Sequence, residues 1–90
     1  MIARKFYISG EVQGVGYRFF AQRSSARHQV RGYIKNLSDG RVEVLAEGAA
    51  AAVDAFRQDL AAGPLHARVT GLEELVLEPT KLYSTFRIER

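Results

Sequence analysis

Apolar and polar residues alternate from Arg4 to Val12. Phe6, Ile8 and Val12 share one parity with Gly10 between them, and Lys5, Ser9 and Glu11 take the other. That period of two predicts a half-buried strand. From Arg18 to His28 the pattern turns helical, RFFAQRSSARH, with a thin inward stripe of Phe20, Ala21, Ser24 and His28. Val30 to Asn36 and Arg41 to Glu47 read as two further strands, with Ile34, Val42, Val44 and Ala46 toward the core. Ser38-Asp39-Gly40 between them is a turn signal, because Gly40 accepts positive φ, so the two strands form a hairpin. A second helix runs from Ala49 to Ala62, where Val53, Phe56 and Leu60 fall at helical spacing and Gly63-Pro64 stops it. A fourth strand covers Ala67 to Leu77, with an irregularity where Leu72 and Leu75 break the alternation. A short fifth, Thr85 to Glu89, turns Phe86 and Ile88 inward.

The order β-α-β-β-α-β with a terminal strand is the split βαβ, or ferredoxin-like, plan. It predicts an α+β sandwich in which two helices cover one face of an antiparallel sheet. Residues 1–90 are expected to form one domain, a size that buries a single core without staples.

Composition narrows the chemistry. There is no cysteine, which excludes disulfides, thiol catalysis and thiolate metal sites, and the two histidines, His28 and His66, are too far apart to suggest a metal site. No apolar run approaches the roughly 20 residues a membrane helix needs. The N-terminal MIARKFYISG lacks the apolar core of a secretory signal. A cytoplasmic monomer away from membranes is the expectation. The net charge of +3 suits an anionic ligand. Its Lys and Arg are scattered, however, and the strand from Arg41 to Glu47 carries no aromatic for base stacking. Nucleic acid is therefore not an expected partner.

The candidate chemistry lies in GEVQGVGYR, Gly10 to Arg18. Three glycines lead into an arginine where the strand pattern gives way to the helical one. Glycine lets successive backbone N–H groups turn toward a common point. A concave row of amides at a helix N-terminus binds anions, phosphate above all. Arg18 at its rim adds a planar fork for two phosphate oxygens. Most glycine turns between a strand and a helix only redirect the chain, and this one is neither a dinucleotide fingerprint nor a P-loop. Asn36, where the second strand yields to its turn, has turn chemistry as its simplest role. The β1–α1 loop and the second strand are nevertheless neighbours in this plan, which would bring Asn36 to the mouth of the cradle.

Taken together, GEVQGVGYR, Gly32-Tyr33-Ile34-Lys35-Asn36 and Asp39-Gly40-Arg41-Val42-Glu43 resemble the acylphosphatase family. That family's pattern is G-x-V-Q-G-V-x-[FY]-R, then G-[WY]-[VI]-x-N with x-x-D-G-x-V-E. Gly48 and the late Phe86-Arg87-Ile88 extend the likeness over nearly the whole chain. The resemblance implies the same ferredoxin-like fold and hydrolysis of acyl phosphates to a carboxylate and inorganic phosphate, without metal or organic cofactor. Carried over residue by residue, it makes Arg18 the phosphate-binding arginine and Asn36 the residue that orients the attacking water. The amide cradle falls on Gln13, Gly14, Val15, Gly16, Tyr17 and Arg18. The chain departs from the family at the end of helix one, where His28-Gln29-Val30 replaces the common Leu-Gly-Leu. Gln29 then occupies a left-handed cap position that glycine takes more easily. The rival reading is a non-catalytic ferredoxin-like module that binds a small ligand or phosphate.

Overall fold

Alternation in the first segment becomes β1, Ile2–Glu11, and the remaining elements follow in the expected order. They are α1 (Tyr17–His28), β2 (Arg31–Asn36), β3 (Val42–Gly48), α2 (Ala50–Ala62), β4 (Arg68–Leu77) and β5 (Phe86–Glu89). The computed structural model describes residues 1–90. On β1 the even-numbered Phe6 and Ile8 are fully buried and pair with Val44 and Val42 of β3. Val53, Phe56 and Leu60 of α2 close over them. Burying one such side chain contributes about 1.5–3 kcal/mol.

The strands lie in the order β4-β1-β3-β2-β5. Three of the four pairings are antiparallel, but β5 runs parallel to β2, so the sheet is mixed rather than antiparallel throughout. The cause is topological. β4 and β5 sit on opposite edges, and residues 78–85 carry the chain between them at the end of the sheet where β4 stops and β5 starts. Entering from that end, β5 must run with β2.

The irregularity in β4 is present but displaced from Leu72 and Leu75. The register slips between Ser9 and Gly10, which leaves Thr70 as the extra residue. Leu72 then faces the helices opposite Ile8, and Leu75 lies on the other face opposite Lys5. Gly10 permits the slip, because a Cβ there would overlap the Arg68 carbonyl.

The inward stripe of α1 is Tyr17, Ala21, Ser24 and Ser25; Phe20 is only half-buried. The helix starts one residue earlier than its apolar pattern suggests, so Tyr17 takes the anchoring place. Such a polar stripe holds by hydrogen bonds. Ser24 Oγ donates to Asp59 Oδ2 of α2 at 2.6 Å, and His28 Nε2 lies 3.1 Å from the same oxygen. The Ser24 bond, assisted by His28, holds the Asp59 carboxyl below its usual range against the opposing effect of burial. Gln29 ends the helix in the left-handed region at φ 58°, as its position opposite the family's glycine implies.

Candidate active site

β1 and β2 both run antiparallel to β3 and flank it. Their C-terminal ends therefore share one end of the sheet, two strand spacings apart, about 10 Å. That geometry brings the segment after β1 and Asn36, the last residue of β2, to one pole of the molecule.

The segment after β1 is shaped by Gly14 and Gly16, at φ 74° and 77°. Left-handed residues set between others in this way make an anion nest. No backbone N–H from Gln13 to Phe19 donates a hydrogen bond within the chain; the first helical bond runs from Phe20 N–H to the Gly16 carbonyl at 3.0 Å. α1 has neither a side-chain cap nor an acidic residue in its first turn. Its positive dipole end is thus left without a counter-charge. A Cβ on Gly14 or Gly16 would meet nothing within 4 Å, so the space beside them is open.

Arg18 is half-buried and enters none of the chain's ion pairs. Lys35 and Arg41, cations of the neighbouring hairpin, are occupied. Lys35 lies 3.8 Å from Glu43; Arg41 pairs with Asp39 at 2.8 Å and stacks over the Tyr7 ring. The Arg18 guanidinium is thus left unpaired beside the amide run.

Asn36 pairs with Val42 at the end of the hairpin, on the helix-covered face with Ile34. Its Oδ1 is buried and has no hydrogen-bond partner. An orphaned buried acceptor costs about 1–3 kcal/mol, which a turn residue has no reason to bear. The turn itself is closed by other groups: Leu37 N–H donates to the Arg41 carbonyl at 2.8 Å, and Arg41 N–H to Asp39 Oδ1 at 3.0 Å.

Two further residues tie this pole together. Tyr17, fully buried, donates its hydroxyl to the Leu60 carbonyl of α2 at 2.6 Å. Burial pushes its phenol pKa up, so the hydroxyl stays a donor. The Gln13 side chain reaches away from the amide run to the hairpin neck, where Nε2 donates to the carbonyls of Leu37 and Arg41. Sequence reasoning placed Gln13 in the cradle by its backbone and missed this link; nothing in the local pattern signals a contact across 24 residues. His28 sits at the far end of α1 from this pole, beside Asp59, and His66 is an exposed loop residue. A surface hollow of about 640 Å³ lies at the opposite pole; His28 and Gln29 are among its lining residues, and neither Asn36 nor any residue from Gln13 to Arg18 is.

Comparison with known proteins identifies the family. The family model described as Acylphosphatase matches residues 4–88. The chain is 46% identical to the acylphosphatase of Actinobacillus succinogenes over 90 residues, covering all of both chains. Among solved structures it resembles an acylphosphatase from Bacillus subtilis, with a TM-score of 0.96 and 32% identity over the whole of both chains. One from Coxiella burnetii follows at 0.91 and 31%, covering 98% of this chain and 92% of that one. With a family model over residues 4–88 and relatives matched over the whole of both chains, the chain belongs to the acylphosphatase family, hydrolases that release phosphate from acyl phosphates.

Proposed function

We propose that the backbone N–H groups of Gln13 to Arg18 and the Arg18 guanidinium hold the phosphoryl group of an acyl phosphate, while Asn36 orients the attacking water. One observation carries this reading: seven consecutive residues, Gln13 to Phe19, have unpartnered N–H groups around an unpaired arginine, at the same end of the sheet as the orphaned Asn36 Oδ1.

The chemistry suits that set. Phosphoryl transfer through a loose transition state needs positioning and charge stabilisation more than covalent help. Water oxygen bonds to phosphorus as the bond to the acyl oxygen breaks, and the carboxylate leaves with the electron pair. Its conjugate acid has a pKa of about 4, so it departs without a proton from a general acid. The cradle segment contains no His, Asp or Glu suited to that role. Amides and a guanidinium neutralise the equatorial oxygens, and Oδ1 of Asn36 accepts a hydrogen bond from the water. Asn36 is too weak a base to keep the proton, which passes to a phosphate oxygen. No metal is required by this scheme. The site invoked draws on one chain, so the proposal extends to a monomeric enzyme, located in the cytoplasm.

The test is hydrolysis of benzoyl phosphate without added metal, with Arg18→Lys and Asn36→Ala beside the parent. Asn36→Ala is expected to lose turnover while inhibition by inorganic phosphate persists. Parallel loss of phosphate inhibition would make Asn36 a phosphate ligand instead. Near-normal turnover in Arg18→Lys would remove the bidentate fork from the scheme. A single species of about 10 kDa by sedimentation checks the monomer.

A further inference from the structure

Gln13 opens the amide run, yet its side chain leaves it. Nε2 gives one hydrogen to the Leu37 carbonyl at 2.8 Å and the other to the Arg41 carbonyl at 2.9 Å. A primary amide has only two hydrogens to give, so its donors are spent. Both acceptors belong to the neck of the β2–β3 hairpin, where Leu37 N–H also reaches the Arg41 carbonyl. Leu37 is the residue after Asn36.

β1 and β2 are not neighbours in the sheet, because β3 lies between them. No backbone hydrogen bond joins the loop after β1 to the hairpin neck, and the Gln13 fork spans that gap. Asn36 needs such support. With its Oδ1 unpartnered, the carboxamide has no hydrogen bond at that oxygen to fix its direction. Its aim therefore depends on where the backbone of Asn36 and Leu37 stands.

We infer that Gln13 is a positioning residue whose side chain sets the distance between the amide cradle and Asn36, and does not itself hold phosphate. This rests on the reading of Asn36 and the cradle given above. Gln13→Met keeps the length and neutrality of the side chain and removes both donors. Each carbonyl retains another donor, Gly40 N–H for Leu37 and Leu37 N–H for Arg41, so the hairpin still closes. A misplacement near 1 Å at a reacting centre costs about 100-fold in rate.

The expected result is a kcat for benzoyl phosphate lowered by about 30–100-fold, with the inhibition constant of inorganic phosphate within about threefold of the parent. In the Asn36→Ala background, Gln13→Met is expected to add no further loss, because the group it positions is gone. Multiplying losses in the double variant would overturn the inference, as would phosphate affinity falling in step with kcat or an unchanged kcat in Gln13→Met. Gln13→Ala serves as the second variant, and circular dichroism with phosphate-dependent thermal shifts verifies that each variant is folded when assayed. If Asn36→Ala turns over normally, the site reading fails and takes the inference with it. If Asn36→Ala is inactive and Gln13→Met is normal, only the inference fails.

Discussion

Asn36 and Glu47 sit at opposite poles of the same hairpin, and the structure treats them in opposite ways. Asn36, on the helix-covered face where β2 ends, buries an oxygen with no partner. Glu47, on the other face near the end of β3, buries a full carboxylate at 1% exposure and satisfies it three times. Thr80 N–H and Thr80 Oγ1 donate to Oε2 at 3.0 and 2.9 Å, and Lys81 N–H donates to Oε1 at 3.1 Å. These donors lie in residues 78–85, the crossing that delivers β5 to its edge, and they hold Lys81 in the left-handed region at φ 58°. The satisfied group ties the crossing to the sheet; the unsatisfied one is the acceptor that the proposed function assigns to the attacking water. A buried polar side chain in this fold is thus informative by whether its partners are supplied from within.

The sharpest way to break the contrast is at the functional pole. Asn36→Ala and Arg18→Lys should each lower kcat/KM for benzoyl phosphate by about 100–1000-fold, the scale of a lost transition-state contact. Asn36→Ala should leave the thermal midpoint unchanged or raised, since no internal hydrogen bond at Oδ1 is lost. A marked fall would show that Asn36 was structural.

Next in size is the reverse experiment. Glu47→Ala strips three donors of their acceptor and should cost about 1–3 kcal/mol in urea unfolding. Turnover well below the melting point should stay within about twofold of the parent, as Glu47 stands at the far pole. Loss of activity without loss of stability would erase the distinction between the poles.

The same carboxylate gives a pH signature. Burial acts to raise its pKa, but the bonds from Thr80 and Lys81 outweigh burial and hold it below the ordinary glutamate value. Its folded pKa thus lies below its unfolded one. The stabilisation is fully present above the unfolded pKa of about 4.3 and disappears as pH falls through the folded value. The stability gap between parent and Glu47→Gln should accordingly be larger at pH 7 than in acid, measured by urea unfolding across that range. A gap that widens toward low pH would contradict the assigned direction.

The smallest effect concerns the cap of α1. Gln29→Gly relieves a left-handed non-glycine residue and should raise stability by about 0.5–1 kcal/mol without touching turnover.

What could be read beforehand follows from the range of each interaction. The hairpin was legible because Ser38-Asp39-Gly40 dictates its turn locally, and α2 because Val53, Phe56 and Leu60 keep one period to the Gly63 stop. Arg18 and Asn36 were legible through their motifs, and the ends of β1 and β2 do bring both to one pole. The parallel pairing of β5 was not, since it depends on which edge the chain crosses to. Glu47 looked like one more polar residue on a strand, because Thr80 and Lys81 come from a segment more than 30 positions on. Tyr17 in place of Phe20 was missed by a single residue: the apolar pattern begins after the helix does.

The Tyr17 hydroxyl has a last consequence. The Leu60 carbonyl it meets belongs to the final turn of α2, among the oxygens a helix leaves over at its end. One phenol thus stands at the start of one helix and seals the finish of the other. Fraying at the mouth of the site and unwinding beside Gly63 are thereby coupled, since loosening either end gives up this bond.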